Sequence, residues 1–431
     1  MLALQYLKIK KRSQPLWLAE FIVLYPFLFG ILIDFVGLPS AIKYLMDVCW
    51  LLLVALMGIN LNRKRVVVEK SSTLYYVWIL FFFVVTLVVY LFNFQSPIYY
   101  LWGFRNNFRF YIAFFAFILF FCVDDITNLL KKLDILFWIN SILCIFQYFV
   151  LGVKQDYLGG LFGTEKGCNG YLNIFLTIMV IKSIIYYLNK AENIGKVLAK
   201  CGVSLLVASL AELKFFYVEF IVVIIASVFI TEFSWRKLWL VIGGIVGVFL
   251  SVNLLLIIFP YYLDFFSIDA MLESATVGGY SRADELNRLT TIPQITQNFL
   301  TTVPERLFGL GLGNCDTSAY NFLKTPFYMQ YSYIRYHWFS TAYLLLETGF
   351  IGLTFFMGFF VLIFVYSIKC KNIISNNLQD KMLCQIAALT ALCAVMITVY
   401  NSSLRTEAGY LIYFVMSFPF VVKKEGVRLD G

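Results

Sequence analysis

A single histidine, His337, occurs in 431 residues, and charge is scarce: Asp, Glu, Lys and Arg together make up 14% of the chain. Soluble domains carry roughly a quarter, so this chain has too little charge to coat a water-facing surface of its size. Also missing are a GxxxxGK[ST] phosphate loop, an HExxH helix and any calcium-loop pattern, which removes support for ATP hydrolysis and the familiar metal chemistries. The nine cysteines form no CxxC pair and no Cys/His spacing of the zinc kind. Most lie in or beside apolar runs and read as small core residues. Only Cys168 and Cys315 fall on segments that the topology below puts outside, where a disulfide between them could form.

What is present is apolar: 61% of residues are hydrophobic, 19% are aromatic, and the mean hydropathy is +0.82. Runs of roughly 16 to 22 apolar residues recur, the length at which a helix crosses ~30 Å of hydrocarbon. Alternating strand patterns are absent. The expectation is an all-α polytopic membrane protein with about twelve transmembrane helices, at 16–35, 41–60, 74–94, 107–123, 133–152, 170–188, 200–212, 215–231, 238–259, 349–368, 383–400 and 408–422. The first run contains Asp34 and lacks a small-residue cleavage site, so it reads as a retained helix rather than a signal peptide. The net charge of +9 is explained by topology, not nucleic acid: connections bearing Lys8, Lys10, Lys11 and Arg12, then Arg63 to Arg65, Lys131 and Lys132, alternate with connections poor in Lys and Arg. The alternation continues through Lys190, Lys196 and Lys200, Arg236 and Lys237, Lys369, Lys371 and Lys381, and ends at Lys423, Lys424 and Arg428. Both termini are therefore placed in the cytoplasm.

Two features interrupt this pattern. The run from Cys201 to Ile230 is broken at Ala211-Glu212-Leu213-Lys214, which predicts two short helices meeting at a polar turn. Charges at that depth cost ~3 kcal/mol each on insertion scales, so Glu212 and Lys214 are expected to face a polar interior. The connection 260–336, between the ninth and tenth spans, dwarfs the others and lies outside; a loop of that length usually works as a lid or binding segment. With no internal repeat, residues 1–431 read as one membrane domain whose large extracytoplasmic loop, 260–336, covers the active site.

His337 stands at the outer edge of the membrane. Imidazole, with an ordinary pKa near ~6.5, can take a proton from an attacking hydroxyl; the plainer alternative is a hydrogen-bonded interfacial histidine. Glu347 is about 15 Å further along a continuous helix and is no direct partner; Gly349 and Gly352 mark a helix break beside it. Outward cations form a second group: Arg105 and Arg109 at the mouth of the fourth span, Lys214 at the buried turn, Arg282 and Arg288 in the loop, then Arg306, Arg335 and Arg405. Such a set suits a diphosphate. Arg105 and Arg109 share a helix face and could instead snorkel beside Tyr100 and Trp102. Arg282 and Arg288 have local carboxylates, Glu285 and Asp284, and on one helix would point ~120° apart, which favours Arg282 for the phosphate. Tyr331, Tyr333 and Tyr336 could stack on pyranose faces. Gly309-Leu310-Gly311-Leu312-Gly313 reads as a tight turn, since no strand and helix flank it.

Taken together, Ser281-Arg282, Leu307-Phe308-Gly309-Leu310-Gly311-Leu312-Gly313-Asn314, His337-Trp338 and Leu345-Leu346-Glu347-Thr348-Gly349-Phe350-Ile351-Gly352-Leu353 resemble the O-antigen polymerase and ligase superfamily in order and rough spacing. The resemblance covers the carboxy-terminal two fifths. It implies a metal-independent, cofactor-free glycosyltransferase of class C architecture in the bacterial cytoplasmic membrane. Such an enzyme moves a glycan from undecaprenyl diphosphate to an acceptor hydroxyl at the outer face. His337 would be the base, with Arg282 on the diphosphate. Lys214 falls where many relatives have arginine, keeping the charge and losing the bidentate fork, and Trp338 replaces the usual asparagine after the histidine. Partners implied are the lipid-linked donor and acceptor, membrane lipids, and chain-length regulator and flippase proteins; no nucleic acid is expected. A polymerase of repeat units is favoured over a ligase that delivers polymer to a lipid core. A transporter is the alternative of another class, against which the lack of matching interrupted halves counts.

Overall fold

The computed structural model describes residues 14–62, 70–93, 95–260, 285–288, 290–318, 320–374 and 377–429. Of the described residues 82% are helical and none is in a strand. The helices are α1 Gln14–Leu24, α2 Leu45–Asn62, α3 Thr73–Phe92, α4 Pro97–Phe120, α5 Val123–Phe149, α6 Asn169–Leu188, α7 Ile194–Leu210, α8 Lys214–Ile230 and α9 Arg236–Ile258. There follow three short ones, α10 Thr291–Asn298, α11 Val303–Phe308 and α12 Pro326–Tyr331, then α13 Ser340–Ile373, α14 Leu378–Tyr400, α15 Gly409–Met416 and α16 Phe418–Leu429.

Among the described residues six helices are long and apolar enough to cross a membrane: Ser40–Asn62, which includes α2, and α3, α6, α9, α13 and α14. Their burial sorts them. The apolar window of α6 is 94% buried and that of α14 is 78% buried, so these form the centre, whereas α9, at 17%, turns most of its apolar surface outward. Leu51, Leu80, Ile245 and Phe249 are all more than half exposed. An apolar patch of that extent is a liability in water and the expected lipid-facing surface in a bilayer.

The turn predicted between the seventh and eighth spans is present: α7 stops at Leu210, Glu212 takes a left-handed conformation with φ 57°, and α8 starts at Lys214. The fourth and fifth spans differ from the sequence expectation. Each helix begins ten residues earlier, at Pro97 and Val123 instead of 107 and 133. Apolar-run detection stops at charge, but the charges here are matched by other elements. Arg105 and Arg109 therefore lie inside α4 instead of at its mouth, paired with Asp47 and Glu407. The start of α5 is secured locally by the Asp125 carboxylate, which accepts from the Cys122 N–H at 3.0 Å, and further along the helix Lys132 pairs with Glu20 of α1 at 3.0 Å. At the other end of α4, the Lys424 ammonium donates to the carbonyls of Ile118, Leu119 and Phe121 at 2.5, 3.3 and 2.8 Å, which satisfies orphan acceptors of the helix C-terminus.

The described part of the long connection 260–336 is fastened to the bundle through glycine. A Cβ on Gly313, which has φ 85°, would stand 2.0 Å from the Tyr99 carbonyl oxygen, and one on Gly103 of α4 would stand 2.5 Å from the Gly313 nitrogen. On the other side, Gly349 breaks α13 with φ 61° and ψ −165°, and a Cβ there would meet the Leu307 carbonyl carbon at 2.4 Å. The turn is thus a wedge seated backbone to backbone between α4 and α13. It is stitched down by the Leu310 N–H on the Leu346 carbonyl at 2.7 Å and the Gly311 N–H on the Glu347 carbonyl at 3.0 Å. The Glu347 carboxylate in turn accepts from the backbone N–H groups of Gly313 and Cys315.

Replacing Gly349 or Gly313 by alanine is expected to destabilise the protein by at least ~1–3 kcal/mol, because both the left-handed backbone and the close approach are violated. Thermal unfolding in detergent checks this; a variant with an unchanged midpoint would remove the wedge.

Candidate functional site

Two cavities open beside the loop, and His337 lines both. The larger, about 690 Å³, lies over the N-termini of α6 and α8. Among its described lining residues, five cations (Lys43, Lys166, Lys214, Arg288 and Arg335) face three carboxylates (Asp156, Glu165 and Glu212). Two helix N-termini add positive potential of their own. The smaller cavity, about 450 Å³, is bounded by Tyr44, Trp102, Arg105, Asp316, Arg405 and Glu407, among others. Ser402 and Thr406 line both cavities with His337, so the segment 401–407 between α14 and α15 is their common wall.

His337 sits in a single helical turn, Tyr336–Trp338, directly before α13. The turn is held from three sides. Tyr336 is fully buried and donates its hydroxyl to the Cys315 carbonyl at 2.5 Å, next to the glycine wedge. Ser340 binds the Asn401 carbonyl through both its N–H, at 3.2 Å, and its hydroxyl, at 2.9 Å. Arg335 carries φ 60°, an uncommon left-handed value for a residue with a Cβ. Its guanidinium pairs with Glu285 at 3.4 Å and lies 4.9 Å from the Trp338 ring centroid. The Nδ1 of His337 is buried and has no hydrogen-bond partner among the described residues. Burial first, and the Arg335 charge second, lower the imidazole pKa to about 4. The ring is therefore neutral, with a lone pair to offer, across the physiological range.

The smaller cavity rests on a charge network. Arg105 forks onto Asp47, with Nε at 3.0 Å and Nη2 at 2.7 Å, and gives Nη1 to the Asn106 amide oxygen at 2.7 Å. Asn106 passes the chain to Asp316 at 2.7 Å, and Asp316 pairs with Arg405 at 2.8 Å. Arg109, fully buried, reaches Glu407 at 3.2 Å and the Arg405 carbonyl at 2.9 Å. Glu407 also accepts the Tyr171 hydroxyl at 2.5 Å. Burial alone would raise the Glu407 carboxyl, but Arg109, the Tyr171 hydroxyl and Arg105 outweigh it and hold the pKa at about 2.

The structure brings together His337, Lys214 and Arg288 on the larger cavity and His337, Arg105 and Arg109 on the smaller. Lys214 pairs with Glu212 at 3.4 Å; Arg288 donates to the Tyr400 carbonyl at 3.0 Å and stacks 4.1 Å from that ring. Arg282 lies outside the described residues. Tyr331, Tyr333 and Tyr336 line neither cavity: Tyr331 packs on Phe299 and Phe327, Tyr333 is over half exposed, and Tyr336 is core. The rings that do face the cavities include Trp338, Phe339, Phe215 and Tyr400 on one side and Tyr44, Trp102 and Tyr343 on the other. Cys168 and Cys315 are both buried and unbonded. Sequence reasoning missed Asp47, Asp316, Glu407 and the 401–407 wall. A signal existed in the polar run Asn401 to Glu407 between two apolar spans, with nothing in it to say which cavity it faces. No known protein family matches this sequence, and no curated protein matches it.

Because His337 is the only histidine, its ring can be followed by NMR in the intact protein. The titration midpoint is expected near 4, and Arg335→Leu should raise it. A midpoint at or above the ordinary ~6.5 would contradict the buried, cation-shadowed ring.

Proposed function

We propose that the protein is a glycosyltransferase that polymerises undecaprenyl-diphosphate-linked oligosaccharide repeat units at the outer face of the bacterial cytoplasmic membrane, as the resemblance to O-antigen polymerases and ligases implies. The observation that carries the reading is the position of His337 at the junction of a cation-rich cavity and a second, separate one. Glycosyl transfer between two lipid-linked substrates needs a diphosphate site, an acceptor site and a base between them. The proposed topology has twelve spans and internal termini, with the loop 260–336 outside.

In this reading the donor diphosphate occupies the larger cavity, over the N-termini of α6 and α8, with Lys214 and Arg288 among its contacts; Arg282, outside the described residues, is the further diphosphate contact that the resemblance implies. The acceptor hydroxyl approaches through the smaller cavity. Its oxygen bonds to the anomeric carbon as the bond from that carbon to the diphosphate oxygen breaks. The proton goes to His337, and the departing diphosphate keeps the electron pair, stabilised by fixed cations. A ring with a pKa of about 4 is a weak base in the empty site. The incoming diphosphate brings negative charge beside it and raises its basicity, so the base is switched on by the donor.

Purified protein given a lipid-linked repeat unit should form polymer, and His337→Ala should lower the rate by ~10²–10⁴-fold; Arg282→Ala should also slow it. Normal extension by both variants would overturn the site. The acid limb of kcat/KM, which reports the free enzyme, should fall near pH 4, while that of kcat should lie higher. In cells, loss of a polymerase leaves single repeat units on surface glycans, whereas loss of a ligase leaves long polymer on its lipid carrier.

A further inference from the structure

The two cavities differ in charge balance, and the difference bears on what each accepts. In the smaller one, Arg105, Arg109 and Arg405 are each matched within the network by Asp47, Glu407 and Asp316. Asp316 and Glu407 line the cavity and Asp47 stands on Arg105 behind it, so with their partners counted no cation of this cavity is in surplus among the described residues. A phosphate or carboxylate entering it would have to displace one of the carboxylates paired with these arginines or remain uncompensated at low dielectric.

The same groups suit hydroxyls. Each sugar hydroxyl both donates and accepts, and so can bridge a paired guanidinium and carboxylate without changing the charge count. Arg405 is 92% buried by side chain, lies 3.8 Å from the Tyr343 ring centroid, and has two N–H-bearing atoms, Nε and Nη1, with no hydrogen-bond partner among the described residues. Trp102 and Tyr44 supply aromatic surface at the same cavity, which matches the apolar face of a pyranose. About 450 Å³ is within the range of small-molecule sites.

We infer that the smaller cavity is the acceptor site and that it selects an uncharged sugar, one without phosphate or carboxylate, through a charge-balanced array of three arginines and three carboxylates. The inference rests on the glycosyltransferase reading above and adds to it the chemical class of the acceptor's terminal residue. Counted in the same way, with Glu285 on Arg335, the larger cavity keeps five cations against four carboxylates among the described residues, and takes the anion.

Binding to the full-length protein in nanodiscs, measured by saturation-transfer NMR without turnover, tests this. The probes are methyl glycosides of glucose, galactose and N-acetylglucosamine, the methyl glucuronide and galacturonide, and inorganic diphosphate. At least one neutral glycoside should bind more tightly than either uronide, and diphosphate should not displace it. Asp47→Asn leaves a surplus positive charge and should move the preference toward the uronides by roughly tenfold. Thr317→Lys adds a cation at the cavity without touching the buried pairs, and should act in the same direction if Asp47→Asn does not fold. Tighter uronide binding by the wild type, failure of every neutral glycoside to bind, or an unchanged preference in Thr317→Lys would overturn the inference. Diphosphate separates this failure from that of the broader reading: diphosphate bound, and weakened by Lys214→Gln, leaves the donor site standing even when the acceptor assignment falls.

Discussion

The arrangement depends on one buried ion pair, Arg109 with Glu407. A guanidinium wholly enclosed within a bundle of apolar helices is tolerable only if its charge is met in place, because breaking such a pair strands an uncompensated charge at a cost of several kcal/mol. Meeting it here requires several elements at once. α4 supplies Arg109, the 401–407 wall supplies Glu407 and the Arg405 carbonyl, and α6 supplies Tyr171. α2 supplies Asp47, at 3.7 Å, and Trp50, whose indole donates to the Arg109 carbonyl at 3.1 Å. The helices around the site are thus registered against one another by electrostatics where apolar packing alone would let them slide.

That registration defines the cavities. Tyr171 faces the larger one and Glu407 the smaller, so their hydrogen bond crosses the partition. His337 lines both cavities at the same partition, on a turn whose preceding residue, Arg335, is held left-handed and which leads into Ser340, tied to Asn401. The histidine and the wall are therefore mutually braced, which is the rigidity that the base role proposed for His337 would need.

Much of this was legible in the sequence, and the exceptions share a cause. The helical membrane character, the polar turn at Ala211 to Lys214, the break at Gly349 and the tight turn at Gly309 to Gly313 each follow from local chemistry, and local chemistry is what a sequence displays. The early starts of α4 and α5 did not follow, since a charged residue reads as a helix boundary until its partner is known, and the partners of Arg105 and Arg109 lie about 60 and 300 residues away. The same blindness to distance explains why Tyr331, Tyr333 and Tyr336, neighbours of His337 in the chain, are not the rings that face the cavities. It also explains why Asp47, Asp316 and Glu407, scattered along the chain, went unread.

The glycine wedge has a consequence for how this loop can be exchanged. Its turn fits only where a neighbouring helix has no side chain, at Gly103 of α4, and where another is interrupted, at Gly349 of α13. A loop transplanted alone into another scaffold would arrive without the two notches that receive it. The transferable module is therefore the loop together with its sockets at Gly103 and Gly349, three separate stretches of the chain that have to move as one.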